Sequence, residues 1–235
     1  MRNEFRKPAS KPMTRERIID SIMCFLPLAA YGVIYMTWFN HLESTNRLHY
    51  TVIHSALDDV IPFSEIFILP YLAWFVYVSF AVLYFLFRYD LDDYFRLSIF
   101  LCTGMTVFLV ASTLWPNIQY LRPAVMPRDN MFTHMVLRLY ATDTPTNIWP
   151  SIHVYNSIGA HVAIARSKRF SPRFKRFSLV LSTLIILSTM FLKQHSVVDV
   201  VSAFAMAFLI YVLVYRSDLV AVLTQRHEQR ARAVR

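Results

Sequence analysis

The sequence predicts an all-α integral membrane protein of six transmembrane helices, and three observations carry that prediction. Of 235 residues, 56% are hydrophobic and only 17% are charged, against about a quarter charged in an average soluble chain. The apolar residues are gathered into long uncharged runs. The basic residues fall between those runs in an alternating pattern. A chain of this kind is neither disordered nor collagenous, and two cysteines do not make a disulfide scaffold.

Residues 1–20 are polar and basic, with nothing resembling a cleavable signal, so the first run, 21–40, reads as a retained anchor. Runs 66–87 and 97–121 follow, and the three are 20, 22 and 25 residues long. A helix rising about 1.5 Å per residue needs ~20 apolar residues to cross the hydrocarbon core. Runs 150–165, 177–192 and 200–215 are 16 residues each. Each becomes a span if a turn of its polar flank enters the membrane, and is otherwise re-entrant or interfacial. Those flanks hold His153, His195 and Asp199, and ionisable groups at membrane depth face a cavity or a partner. The organisation expected is a basic cytoplasmic segment 1–20, a membrane domain 21–215 and a basic cytoplasmic tail 216–235. Cys24 and Cys102 fall inside spans and read as small packed hydrophobes.

Basic residues orient the bundle. The 24 Lys and Arg split as 6, 1, 2, 3, 6, 1 and 5 along successive connections, 19 on one side and 5 on the other. By the positive-inside rule both termini are cytoplasmic and segments 41–65 and 122–149 face outward, in a multi-pass protein of the cell membrane. The formal net charge of +9 follows from this asymmetry facing anionic inner-leaflet lipids. No compact basic domain remains to bind nucleic acid.

Three clusters belong to the outward side: Tyr120 to Pro123, Asn147 to His153, and Lys193 to Asp199. His195 and Asp199 stand four apart, so on a helix they share a face and the carboxylate can orient one imidazole nitrogen. The other nitrogen is then a nucleophile or base. The alternative is a polar pair capping a helix. Pro150 suits a first helical turn, which places Ser151 and nearby amides at an anion-binding N-terminus with His153 on the same turn. Alone, His153 could be a packing residue; with His195 at the same mouth, two imidazoles can serve as nucleophile and proton donor. Arg122 and Lys193 supply the cations a phosphoryl group needs, or else snorkel to the interface. His161 reads as helix packing against a polar neighbour. His41, His49, His54 and His134 lack ligand spacing, so no metal site is expected.

Arg122-Pro123, then Pro150-Ser151-Ile152-His153, then Ser188 with His195 and Asp199 resemble the three signatures of the type-2 phosphatidic acid phosphatase superfamily, whose members include membrane lipid phosphatases and lipid phosphotransferases. The resemblance covers about residues 97–215. Trp115 stands where the family pattern has Lys, Ile152 where it has Gly, and Thr189 where it has Arg. The altered pattern is similar to a divergent branch that includes sphingolipid-head-group transferases.

The resemblance implies an enzyme with its active site at the outward mouth of the bundle, needing no metal or other cofactor. His195, oriented by Asp199, would attack phosphorus; His153 would protonate the leaving alcohol; Arg122, Ser151 and Lys193 would hold the phosphate. The expected activity is hydrolysis of a lipid phosphate or pyrophosphate through a phosphohistidine. The alternatives are transfer of a phospho-head group to an alcohol and, more remotely, a transporter or scaffold. The loop 126–149 is expected to shape head-group selection, while Arg128, Asp129 and Arg138 read as solvated loop charges.

Overall fold

The computed structural model describes residues 15–45, 47–88 and 90–216. The basic segments expected at the two ends lie outside these apart from residues 15–20 and Arg216. Along the chain the elements are α1 (Arg15–Ser44), β1 (Thr51–Val52), α2 (Ala56–Val60), α3 (Ile68–Phe87), α4 (Leu91–Leu114), β2 (Asn117–Ile118), α5 (Met131–Thr142), α6 (Ile152–Arg166), α7 (Pro172–Phe191) and α8 (Val197–Tyr211).

Five helical segments are long and apolar enough to cross a membrane: Ile18–Ser44, Glu65–Phe87, Leu91–Leu114, Pro172–Phe191 and Val197–Arg216. They make the chain a helical multi-pass membrane protein. The expected sixth span, α6, has 15 residues, about 22 Å of helix against a hydrocarbon core of about 30 Å. Length alone therefore does not make it a span. The run 97–121 is also not one helix. Asp92 and Asp93 occupy the first turn of α4, where the helix dipole favours carboxylates. The helix stops at Leu114 because Pro116 drives Trp115 out of the helical region, to φ −136 and ψ 79.

Apolar side chains cover the outside of the bundle, where Val76, Val201, Phe208 and Leu209 are all more than half exposed. Polar side chains turn inward instead: Ser157, Ser178, Ser182 and Ser188 are buried. That inversion suits a lipid solvent, in which only the interior offers hydrogen-bond partners. Tyr31 Oη donates to the Cys102 carbonyl at 2.9 Å and Trp38 Nε1 to Thr113 Oγ1 at 3.0 Å, joining α1 to α4. Tyr77 Oη lies 2.6 Å from Ser178 Oγ, and His161 Nδ1 lies 3.0 Å from the same hydroxyl, so His161 does pack on a polar neighbour.

At the centre stands α6, packed against α3, α4, α7 and α8. Two glycines set its distance from α4. A Cβ on Gly104 would lie 2.0 Å from the Tyr155 ring, and one on Gly159 would lie 2.6 Å from the Phe100 ring. Those two rings stack at 4.5 Å, and Tyr155 Oη donates to the Phe100 carbonyl at 2.7 Å.

The connections at one end of the bundle are ordered. β1 and β2 pair in parallel, Thr51 with Asn117 and Val52 with Ile118. Ile118 forms a further bridge to Thr146, tying three connections together. The loop 126–149 contains α5, capped by Asn130 Oδ1, which accepts from the Thr133 amide at 3.0 Å. The loop charge Arg128 is not merely solvated: its guanidinium meets both oxygens of Glu65 at 2.6 and 2.7 Å.

Candidate active site

Where α7 ends, the chain reverses in five residues. Lys193 adopts a left-handed φ of 53, and the amides of Gln194 and His195 both donate to the Thr189 carbonyl, at 2.9 and 3.1 Å. Ser196 then caps α8 in a reciprocal box: its side chain accepts from the helix, and Asp199 Oδ2 accepts from the Ser196 amide at 2.8 Å. His195 therefore precedes the helix rather than sharing its face with Asp199. The two still meet, because the capping box turns Asp199 back over the helix start. His195 Nδ1 lies 3.4 Å from Asp199 Oδ2, within ion-pair range though long for a formed hydrogen bond. The carboxylate that caps α8 is thus also the one beside the His195 imidazole.

His153 enters from α6. Ser151, not Pro150, begins that helix: its Oγ accepts from the Val154 amide at 3.4 Å, while its own amide approaches the Asp199 carbonyl at 3.4 Å. Pro150 stands one residue before the cap. The His153 ring stacks on Tyr71 at 4.6 Å and tilts against Trp74 at 4.5 Å, both on α3. Its centroid is 5.9 Å from that of His195.

Both imidazoles line a cavity of about 40 Å³, together with Gln194, Asn147, Glu43 and Asp143. Such a space takes a few water molecules. Glu43, from the end of α1, is held by Thr144 Oγ1 and by Asn147 Nδ2 at 3.3 Å. Asp143 Oδ2 accepts from Tyr71 Oη at 3.3 Å and from Gln194 Nε2 at 3.2 Å. Burial pushes the Asp143 carboxyl above the ordinary carboxylate range, against the opposing pull of His195, Arg122 and the Tyr71 hydroxyl. His153 Nδ1, His195 Nδ1, Asp199 Oδ1, Asn147 Oδ1 and Arg122 Nε are all buried with no hydrogen-bond partner among the described residues. Unsatisfied polar atoms in such number call for a reason. Four of these five residues are His153 and Asn147 on the cavity wall, His195 beside them, and Asp199 behind His195.

The expected phosphate-binding residues are placed unequally. Arg122 borders the cavity through Gln194: its Nη2 donates to Gln194 Oε1 at 2.6 Å and to the Asp143 carbonyl at 2.7 Å, and the guanidinium lies 4.3 Å over the Tyr140 ring. Burial lowers its pKa, with Asp143 opposing. Ser151 is fully buried in its capping role. Lys193 points elsewhere, because its Nζ donates to the carbonyls of Asp58 and Ile61 at 2.6 and 2.5 Å. Burial lowers the Lys193 pKa, and Asp58 opposes the change. Neither Ser151 nor Lys193 lines the cavity. Its wall carries carboxylates where free cations were expected.

The three departures from the resembled signatures are filled by packing. Trp115 donates its Nε1 to Thr51 Oγ1 at 2.8 Å and meets Trp149 edge-on at 5.1 Å. Thr189 is buried and turns its hydroxyl back onto the Ile186 carbonyl at 2.8 Å. Ile152 packs beside the cluster of Tyr35, Leu42, Phe108 and Leu109.

Glu43, Asp143, Gln194, Tyr71 and Trp74 were not foreseen. Gln194 lies inside the cluster Lys193 to Asp199 and Asp143 lies four residues before the cluster that begins at Asn147, whereas Glu43, Tyr71 and Trp74 come from parts of the chain with no signature. Among the described residues, no three His, Cys, Asp or Glu side chains gather so as to hold a metal ion. Compared with models of known families, with curated proteins and with solved structures, the chain has no match.

Proposed function

We propose that the chain is a membrane enzyme acting on the phosphoryl group of a lipid phosphate or pyrophosphate through a phosphohistidine. The observation that carries this reading is the meeting of His153 and His195 at one small cavity, with Asp199 beside the Nδ1 of His195. In the first step His195 Nε2 bonds to phosphorus, the bond from phosphorus to the alcohol oxygen breaks, and His153 as imidazolium gives that oxygen its proton. In the second, His153 takes a proton from water, the water oxygen bonds to phosphorus, and the P–N bond breaks. Asp199 supports the charge that His195 carries between the two steps. Of the expected phosphate ligands, Arg122 stands nearest the cavity wall and would swing on its Gln194 contact. The proposed topology has six spans, with α6 crossing as a helix sheltered by its neighbours, both termini cytoplasmic and the cavity at the outer mouth.

A second reading, transfer to an alcohol, is favoured by Glu43 and Asp143. Two carboxyl groups on the wall are acceptors suited to hydroxyl-bearing molecules, and they would position an acceptor alcohol in place of water. Purified protein in detergent, given a panel of lipid phosphates with and without alcohols such as inositol or diacylglycerol, tests both readings. Phosphate release without an acceptor identifies a hydrolase, and a new phosphate monoester of the added alcohol identifies a transferase. Activity should survive EDTA and fall with vanadate. No phosphorus transfer from any lipid in the panel overturns the proposal.

A further inference from the structure

The first connection, between α1 and α3, carries a carboxylate that the reaction does not use and that solvent does not reach. Asp58 is 2% exposed. It belongs to α2, where a Ser55–Asp58 capping box brings the Ser55 amide to its Oδ2 at 2.8 Å. A cap on a five-residue surface helix has no need to be buried, and burying a carboxylate is costly unless its oxygens are satisfied. Its remaining partners lie far away in sequence. Oδ2 also accepts from Ser196 Oγ at 2.6 Å, and Oδ1 accepts from the Val197 amide at 2.8 Å. The backbone carbonyl of the same residue, with that of Ile61, takes the Lys193 ammonium. Segment 193–197 is thus gripped at both ends by one short stretch, Asp58 to Ile61, with His195 between the grips.

We propose that Asp58 is a positioning residue for His195, acting through Ser196; as a claim about the reaction it rests on the phosphohistidine reading. The Ser196 hydroxyl spends its proton on Asp58, which fixes its lone pairs toward the Val198 amide, 3.2 Å away. With Ser196 held, its amide points at Asp199 Oδ2, the oxygen that also faces His195 Nδ1. Two capping boxes are coupled in series: Asp58 closes the first and braces the second. Lys193, with its left-handed backbone, belongs to the same clamp, since its ammonium sits on the carbonyls of Asp58 and Ile61.

Asp58→Asn keeps the size of the side chain but presents an amide N–H₂ to groups that are themselves donors. The test compares the wild type, Asp58→Asn, Ser196→Ala, the double variant and the exposed neighbour Asp59→Asn as control, each as the full chain in detergent. The first readout, independent of any activity, is the ¹⁵N imidazole signal of His195. The proposal expects one defined tautomer in the wild type and in Asp59→Asn, and a mixed or exchange-broadened signal in Asp58→Asn, with His161 unchanged as an internal check on folding. The second readout is hydrolysis of p-nitrophenyl phosphate. Here kcat should fall about 10- to 100-fold with KM little altered, as for a displaced catalytic group, and the double variant should be no worse than the poorer single one. A wild-type His195 signal in Asp58→Asn overturns the proposal, as does equal loss of the His161 signal, which would make Asp58 a folding residue only. If the wild type itself has no turnover while the His195 signal still responds, the reaction fails and the positioning stands.

Discussion

The imidazole rings of His153 and His195 face each other with centroids 5.9 Å apart, although one is delivered by the start of α6 and the other by the turn between α7 and α8. Neither ring is free to drift. His153 is pinned between Tyr71 and Trp74, and the His195 turn is anchored on Thr189 behind it and Asp58 beside it. The cavity beside the two rings is walled by polar residues of the connections at that end of the bundle, Glu43, Asp143, Asn147 and Gln194 among them.

The packing that sets this gap can be tested at the glycines. Gly104→Ala drives a methyl group into the Tyr155 ring, 2.0 Å away, and that ring is stacked and hydrogen-bonded in place. Overpacking of this kind costs about 1–3 kcal/mol, so the thermal midpoint in detergent should fall. Gly32→Ala meets nothing within 4 Å and should be neutral or stabilising by up to about 1 kcal/mol. Equal midpoints for the two variants would contradict the close approach of α4 and α6.

Asp143 gives a pH dependence of defined sign. Burial raises its carboxyl above the ordinary carboxylate range, so the folded protein holds a proton at pH values where the unfolded chain has released it. Its contribution to stability is complete below the ordinary carboxylate range and is lost as pH rises through the raised value. Thermal midpoints of the wild type and Asp143→Asn, measured from about pH 4 to about pH 7.5, should show the wild-type advantage shrinking with rising pH. An advantage that grows toward neutral pH would mean the carboxylate is held charged, in a strong pair with Arg122.

The proposed six-span topology depends on α6. In chains with Cys24 and Cys102 replaced by alanine, an impermeant thiol reagent applied to intact cells should label Asp129→Cys, a site 88% exposed beside α5. Arg173→Cys, at the start of α7, should stay unlabelled. External labelling of Arg173→Cys would place both ends of α6 on one side and reduce the bundle to five spans.

Much of the architecture is legible in composition, because a lipid solvent imposes long uncharged runs whatever the fold. The His195–Asp199 pairing is legible too, yet for a different reason from the helical spacing that suggested it. Ser196-Val197-Val198-Asp199 is a capping box, and a box brings its fourth residue back to the first. The same box stands at Ser55 to Asp58, where it begins α2, and the segment 126–149 that reads as a loop carries α5; the long apolar runs anticipate neither short helix. Lys193 shows the limit. Its charge beside a candidate nucleophile suggests phosphate binding, but two carbonyls of a connection 132 residues away or more claim it first. Glu43 is illegible for a like reason: only the tertiary fold brings the end of α1 to Thr144 and Asn147.

The central claim is that His195 bonds to phosphorus and His153 handles the proton. It is tested most directly by labelling with a ³²P-labelled aryl phosphate and recovering acid-labile, alkali-stable phosphohistidine from the wild type, His195→Ala, His153→Ala and Asp199→Asn. The account predicts no labelled protein from His195→Ala. It predicts a slowly released label in His153→Ala, since an aryl leaving group needs little protonation but water still needs a base. Asp199→Asn should label about 10²- to 10⁴-fold more slowly, as other oriented-histidine sites do when the carboxylate is neutralised. Phosphohistidine formed by His195→Ala and absent from His153→Ala would contradict the account by exchanging the two roles.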